Sequence, residues 1–488
     1  MRRAAVLLAG SLLATAWVII PLLQQREWAA VNEQLQHTGL VDGYGARQVL
    51  DWLISGQLLD HGRLPVVTVL AAVGFGLAWL AWSSDADARA LLVALAVCLL
   101  LAFGRTTFGS LVDLIPGSAD LFFRRFMMGV QLAALLLAGR GAAWLATGAM
   151  RQLKTQVSRW PPGLSAAVAF VAAVLVLAPA WLQIGAFDRR DAAAIAAQQR
   201  ADDTQGAALD RLIAVIKRDG GGRTYAGMPS NWGQDFTVGA VPVFKYLDSR
   251  DVDEVGYTLR TASLMTDPEY YFDDRNPSDY RLFAIHYLII PTGSRPRIPA
   301  ALTLRAGPYS LWTLPGAGGI LSAGTIAAHL TANRTDIATR TLPVLHSDLA
   351  QHDRYEQVRF DQSGSGVPAR SLRSSTVAPP RRSASTVVAQ ADHLTAGRAA
   401  ATVAMPRRGV VVLSASFDPG WTATVDGRPQ PTEMVAPALV ATTVQAGTHR
   451  VAFRYHGFRG YPLLFAVSAA ALLALLCAEV ARPQLPRK

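Results

Sequence analysis

Charged residues and cysteine are both scarce in this 488-residue chain. Asp, Glu, Lys and Arg make up 17% of it, whereas an average soluble protein has about 25%. The mean hydropathy of +0.24 argues against a disordered chain and against an ordinary soluble enzyme. The two cysteines, Cys98 and Cys477, lie in apolar runs, which excludes a disulfide framework and a cysteine-based zinc site.

Several catalytic motifs are also missing. The sequence has no Gly-x-Ser-x-Gly elbow, no phosphate-binding P-loop and no His-Glu-x-x-His metal motif. Lys and Arg exceed Asp and Glu by 46 to 35, but they form neither a basic stripe nor a zinc-finger pattern. We therefore do not expect nucleic-acid binding.

The chain instead has six long apolar runs. A helix that crosses a bilayer needs about 20 such residues, and four of the runs approach this length without a charge. The first run is longer than the apolar part of a usual signal peptide, so we expect an uncleaved helix. The third run is short and could continue past Arg105 toward Val112, and the fourth carries Arg124 and Arg125 near one end. The runs are residues 4–23, 64–82, 90–104, 121–139, 164–184 and 461–478.

The content of basic and acidic residues differs between alternate segments that join these runs. With the N-terminus inside the cell, the inner segments hold Arg89 and the acid-free stretch 140–162. The first outer segment, 24–63, has three arginines against five acids. Because cytoplasmic loops of membrane proteins are enriched in Lys and Arg, we predict that both termini are cytoplasmic. Residues 185–460 would then lie outside the cytoplasm.

The long outer segment contains two kinds of pattern. Apolar residues first recur at helical spacing, from Leu209 to Ile216, and short strand-like runs follow. From residue 398 apolar and polar residues alternate, which is typical of strands, and Asp426-Gly427 is a hairpin signal. We predict an α-helical integral membrane protein of about six spans with a large extracytoplasmic α/β plus β-sandwich region. The predicted parts are a membrane domain at 1–184, an α/β domain at 185–345, a partly disordered linker at 346–397, a β-sandwich at 398–460, and a closing helix with a basic tail at 461–488.

The C-terminal part carries a recognisable motif. Pro419, Gly420 and Trp421 precede the Asp426-Gly427 turn, and a strand of the form G-x-H-x-V-x-F-x-Y leads to the last apolar run. This arrangement resembles the terminal module of the YfhO-like bacterial membrane proteins. Segments 123–142 and 279–291 are similar to other parts of that family. The residues of the strand are Gly447, His449, Val451, Phe453 and Tyr455.

The resemblance implies a relative of the GT-C glycosyltransferase superfamily. Such proteins take a sugar from a polyprenyl-phosphate donor and attach it outside the bacterial cytoplasmic membrane to a polysaccharide or glycolipid acceptor. Their catalytic acid lies in the first outer loop of a chain with ten or more spans. Because six spans are predicted here, the resemblance is to the C-terminal half of the family.

Two kinds of side chain could serve glycosyl transfer. A carboxylate would accept the proton of the acceptor, unless a divalent cation polarises the donor phosphate. In the first outer segment Asp60 is the preferred candidate for this base and Asp42 the second; the alternative is that they are solvated loop charges or a helix cap. Other acidic groups, such as Asp251 and Asp253, are expected to be ordinary surface charges.

Three arginines lie where the outer membrane face is predicted. Guanidinium groups match phosphate oxygens, and ionisable groups at membrane depth are costly unless they have a role. Arg124, Arg125 and Arg105 are therefore predicted to hold the lipid phosphate. The alternative is that their side chains reach the interface and contact ordinary lipid headgroups.

A non-enzymatic role is the main rival hypothesis. The chain would then be a membrane-anchored binding or assembly subunit that partners a separate catalytic protein. A transporter is a weaker alternative, because the six runs place no charged residue in the middle of the membrane.

Overall fold

The computed structural model describes most of the chain as two compact units. The helical unit comprises residues 34–195, and the β-rich unit comprises residues 1–33 together with 196–488. One of the two divisions, between residues 195 and 196, falls within the long helix Pro162–Ala201. The described residues are 2–31, 38–61, 64–115, 117–157, 162–256, 263–315, 319–361 and 385–480.

The described residues form fifteen α-helices, and 3₁₀ or π turns extend several of them. The helices are α1 (Arg2–Ala14), α2 (Ala16–Gln25), α3 (Gly39–Asp42), α4 (Ala46–Ile54), α5 (Gln57–Asp60), α6 (Val66–Leu80), α7 (Ala86–Phe108), α8 (Met127–Val157), α9 (Pro162–Ala201), α10 (Ala207–Arg218), α11 (Val243–Ser249), α12 (Thr266–Tyr270), α13 (Pro277–Leu282), α14 (Ile337–Leu345) and α15 (Tyr461–Val480).

Seventeen strands belong to the β-rich unit. They are β1 (Arg223–Tyr225), β2 (Thr237–Val238), β3 (Val241–Pro242), β4 (Glu254–Val255), β5 (Ile285–Pro291), β6 (Ala301–Ala306), β7 (Tyr309–Thr313), β8 (Leu321–Ala332), β9 (Arg354–Phe360), β10 (Thr386–His393), β11 (Arg398–Met405), β12 (Gly409–Ser416), β13 (Trp421–Val425), β14 (Arg428–Gln430), β15 (Glu433–Val435), β16 (Leu439–Val444) and β17 (Gly447–Tyr455).

Apolar helices that could cross a membrane are present, but fewer than six among the described residues. Two stretches are long and apolar enough, Ala86–Leu114 and Phe123–Gly148. The first stretch extends past Arg105, as was considered for the short third run, but it is kinked at Gly104, whose dihedral angles are non-helical, φ 58° and ψ −159°. Helix α6 has 15 residues and would be about 22 Å long, which is less than the roughly 30 Å of hydrocarbon in a bilayer. Helix α15 is also apolar over a short stretch, and many side chains of the fifth run, in α9, lie outside the described residues.

The first predicted span is bent and not straight. Helices α1 and α2 meet at 70°, because Thr15 has non-helical dihedral angles, φ −103° and ψ 7°. The Thr15 hydroxyl donates to the carbonyl of Ser11 at 2.7 Å, a bond back into the preceding turn that commonly bends helices. Counted as one span, this pair raises the number of candidate spans to three.

The β-rich unit has an α/β part with a mixed sheet. Its strand order is β4-β1-β5-β7-β6, with β1 parallel to β4 and β5 and the remaining pairs antiparallel. The apolar face predicted for α10 packs against a hydrophobic core of this part. Its four inward residues are buried: Leu209, Leu212, Ile213 and Ile216.

The predicted β-sandwich takes a different form. Strands β10-β11-β17-β13-β14 make one sheet, whereas β12-β16-β15-β9-β8 close into a barrel. The β-sandwich was predicted to begin at residue 398, but β8 and β9, which precede that residue, belong to the barrel. The predicted linker 346–397 contains two strands, β9 and β10. Its middle, 362–384, lies outside the described residues. The strand arrangement differs from these predicted boundaries because barrel closure pairs strands that are far apart in sequence.

Candidate functional site

Two arginines open the second long apolar stretch. Arg124 and Arg125 lie on the 3₁₀ turn Phe123–Phe126, directly before α8. Phe123 is buried and anchors the turn, while both arginines are exposed. The guanidinium carbon of Arg124 lies 5.6 Å from the ring centre of Tyr44, and that of Arg125 lies 4.7 Å from the ring of Phe122. Such cation–π contacts orient a guanidinium without neutralising its charge.

Arg124 and Arg125 differ from Arg105 in their acidic partners. Arg105 Nη1 donates to Asp113 Oδ1 at 2.6 Å, and its Nε lies 3.6 Å from Asp42 Oδ1. In the described part of the chain, neither Arg124 nor Arg125 has a carboxylate at ion-pair distance. The charge of Arg105 is therefore balanced within the protein, and the charges of the other two are available to a ligand.

Asp42 is fixed where the end of α3 meets α7. Gly104 has a φ of 58°, and a Cβ there would lie 2.1 Å from the carbonyl oxygen of Asp42. The hydroxyl of Thr106 donates to the carbonyl of Gly43 at 2.8 Å. This close approach requires glycine. It brings three of the predicted site residues and the ring of Tyr44 to one end of the helical unit: Asp42, Arg105, Arg124 and Tyr44.

Asp60 has a structural partner in the next helix. Its carboxylate accepts hydrogen bonds from the N–H groups of Val67 and Thr68, both at 3.0 Å, and from the Thr68 hydroxyl at 2.6 Å. Its exposed fraction is 3%. These bonds satisfy N–H groups in the first turn of α6 that have no partner within the helix. This is the geometry of the helix cap that was the alternative to a catalytic base.

Other groups considered from the sequence have ordinary surroundings. Trp421 is 8% exposed and donates to the carbonyl of Ser416 at 3.2 Å, so it packs inside the β-rich unit. Asp253 pairs with Arg223 at 3.0 Å. Within the described residues, no group of three His, Cys, Asp or Glu side chains could hold a metal ion.

Several residues of interest were not singled out from the sequence. Tyr44 and Phe122 support the two arginines through ring contacts that no spacing rule predicts. In the β-rich unit, Arg354, Arg407 and Arg408 line one cavity. The adjacent pair Arg407-Arg408, placed between Pro406 and Gly409, was a visible signal for a basic turn.

Comparisons of the chain with protein-family models, with curated proteins and with solved structures found no match.

Proposed function

We propose that the protein acts in bacterial cell-envelope glycosylation as a GT-C-type, membrane-embedded glycosyltransferase-like protein. In this proposal Arg124 and Arg125 bind the phosphate of a polyprenyl-phosphate sugar. The observation that carries it is the presence, in the described residues, of two exposed guanidinium groups without acidic partners at the start of a long apolar stretch. A phosphate would supply the counter-charge and accept their hydrogen bonds.

The surface of α8 beyond the arginines suits the lipid part of such a donor. Met128, Leu132, Leu135 and Leu136 are all more than half exposed. Because Leu132 lies four residues after Met128, three before Leu135 and four before Leu136, the four side chains form one apolar stripe along the helix. A polyprenyl chain could lie along this stripe while its phosphate contacts the turn at the helix start.

The proposal includes the six-span topology with both termini in the cytoplasm. Two contacts within the helical unit agree with one part of this topology, because they join segments that are predicted to share a side. Arg140 pairs with Asp85 at 2.8 Å, and both lie in predicted inner segments. Arg105 and Asp42, at 3.6 Å, both lie in predicted outer segments.

A non-catalytic binding or assembly subunit is the second candidate function. The geometry of Asp60 favours it, since the carboxylate of this candidate base already accepts three hydrogen bonds from α6. Asp42, the other candidate, lies beside the guanidinium of Arg105. In this version the chain would hold the lipid-linked sugar for a separate catalytic protein.

Binding of a polyprenyl phosphate to the purified protein in lipid nanodiscs tests the shared part of both functions. We expect the double variant Arg124→Ala, Arg125→Ala to weaken binding at least about tenfold, because charge-assisted hydrogen bonds are lost. Arg151→Ala is the matched control: Arg151 is exposed on the same helix, about 40 Å away. Equal binding by wild type and the double variant would overturn the assignment.

A second experiment separates the two functions. The variant Asp42→Asn, Asp60→Asn removes both candidate bases while it keeps side chains of the same size. Loss of envelope glycosylation with intact lipid binding would favour the enzyme. Persistent glycosylation would favour the binding subunit.

A further inference from the structure

Strands of the closed barrel in the β-rich unit, together with the turn at residues 406–408, line an open cavity that holds more basic than acidic side chains. Its volume is about 440 Å³, and all five barrel strands contribute to its lining. Three arginines face it, Arg354 from β9 and the pair Arg407 and Arg408 from the turn between β11 and β12. His329 and the hydroxyl-bearing Thr325, from β8, add further polar groups.

The described lining of this cavity contains one carboxylate, Glu433. Glu433 Oε2 accepts a hydrogen bond from the Gln357 amide at 2.7 Å, and its Oε1 accepts one from the Thr443 hydroxyl at 2.9 Å. Its partners are thus neutral donors. Across the described residues, no carboxylate lies at ion-pair distance from Arg407 or Arg408. Two cations therefore face a concave surface without a counter-charge.

The turn that carries the arginine pair is held firmly. Gly409 follows it directly, and a Cβ at Gly409 would lie 2.2 Å from the carbonyl oxygen of Gly324. The backbones of β12 and β8 are therefore in close contact at this point. Pro406, before the pair, restricts the backbone on the other side. Cations presented from a fixed backbone lose less freedom when they bind a ligand.

We propose that this cavity binds the phosphate group of a phosphorylated saccharide or polyol. Phosphate offers oxygens that two guanidinium forks can contact together, and its negative charge would balance Arg407 and Arg408. Thr325 and His329 lie in the same cavity and can contact the attached hydroxyl groups. Inorganic phosphate shares this chemistry, so the experiment compares the two sources. The inference goes beyond the lipid site and does not depend on it.

The test is calorimetric binding of glycerol phosphate, inorganic phosphate and glycerol to the full-length chain in an uncharged detergent. All variants carry Arg124→Ala and Arg125→Ala, so the membrane arginines cannot contribute. We expect saturable binding of glycerol phosphate at low salt and none of glycerol, with weakening at high salt. Adding Arg407→Ala and Arg408→Ala should lower affinity at least about tenfold.

A matched control removes two other exposed arginines of the same unit. Arg450 and Arg454 lie on β17, outside the cavity lining, and their replacement by Ala should leave affinity unchanged. Tighter binding of glycerol phosphate than of inorganic phosphate supports an organic phosphate, and equal binding supports a free phosphate ion. The proposal is overturned if no phosphate compound binds, or if the control pair lowers affinity as much as Arg407 and Arg408 do.

Discussion

At the scale of single residues, Asp60 is the side chain whose structural role is most clearly defined. Three hydrogen bonds join its buried carboxylate to the first turn of α6. A negative charge at this position is also favourable because helix N-termini carry partial positive charge. Asp60 therefore stabilises the start of α6, whatever its part in chemistry.

Replacing Asp60 by Ala should lower the free energy of unfolding by about 1–2 kcal/mol, the usual effect of losing a helix cap. Thermal unfolding in detergent, followed by tryptophan fluorescence, measures this change. Asp51→Ala is the control, because Asp51 is an exposed acid on α4. An Asp60 variant as stable as this control would rule out the capping role.

Asp279 is a second acid with an unusual environment, in the β-rich unit. It is fully buried at the start of α13, and its removal from water raises the pKa of its carboxyl to about 8. Hydrogen bonds from the Asp273 N–H and the Asn276 amide oppose this shift. The folded protein therefore retains a proton on Asp279 that the unfolded chain releases near pH 4.

The stability contributed by Asp279 should fall as the pH rises. Because the folded pKa lies above the unfolded one, the folded state binds more protons between about pH 4 and pH 8, and the free energy of unfolding decreases over that window. Asp279→Asn should remove this part of the pH dependence. Unfolding curves of both proteins at several pH values measure the difference, with the exposed Asp235→Asn as control. A wild-type-minus-variant difference that does not change with pH would contradict the expectation.

The arginines show what the sequence could and could not reveal about a site. Arg124 and Arg125 were singled out as candidate phosphate ligands because cations near an apolar run are costly unless they have a role. The ion pairs of Arg105 with Asp42 and Asp113 were not predicted, because they depend on how three separated segments pack. The helix cap was one of the roles considered for Asp60, but its partners could not be identified from the sequence because they belong to the following helix.

At the scale of elements, the packing of α6 on α8 depends on two glycines. A Cβ on Gly74 would lie 1.8 Å from the carbonyl oxygen of Leu137, and one on Gly141 would lie 2.2 Å from that of Leu70. Both distances are far below van der Waals contact, so any side chain would force the helices apart. Small residues commonly permit such close approach between membrane helices.

Gly74→Ala should therefore destabilise the helical unit by about 1–3 kcal/mol, as overpacking usually does. Gly76→Ala is a close control on the same helix, since no atom lies within 4 Å of a Cβ at that position. It should leave stability unchanged or raise it, because Ala favours helices more than Gly. Equal thermal stability of the two variants would contradict the predicted contact.

Local sequence patterns predicted a turn between two strands but not the long-range pairing of strands. The hairpin turn predicted at Asp426-Gly427 is confirmed: both residues have positive φ, 50° and 77°, which this residue pair favours. The sequence did not reveal that β12 belongs to a barrel and β13 to a separate sheet. That division follows from the pairing of β12 with β8, about 90 residues earlier, which no local pattern encodes.

At the scale of the whole molecule, the proposed topology has a direct consequence for cysteine labelling. In a chain whose Cys98 and Cys477 are replaced by Ser, a cysteine at exposed position 428 should react with a membrane-impermeant maleimide in intact cells. A cysteine at exposed position 151 should react after permeabilisation alone. The physical reason is the positive-inside distribution of basic residues. The opposite labelling pattern would reverse the orientation and place Arg124 and Arg125 on the cytoplasmic side.

A lipid-linked phosphate is proposed to bind at the turn before α8. Photo-crosslinking tests it most directly, with a polyprenyl phosphate analogue whose reactive group lies next to the phosphate. After proteolysis and mass spectrometry, we expect the label in the peptide that contains Phe122–Phe126, and we expect excess unlabelled polyprenyl phosphate to suppress it. Labelling confined to other segments, or labelling that Arg124→Ala with Arg125→Ala leaves unchanged, would contradict the claim.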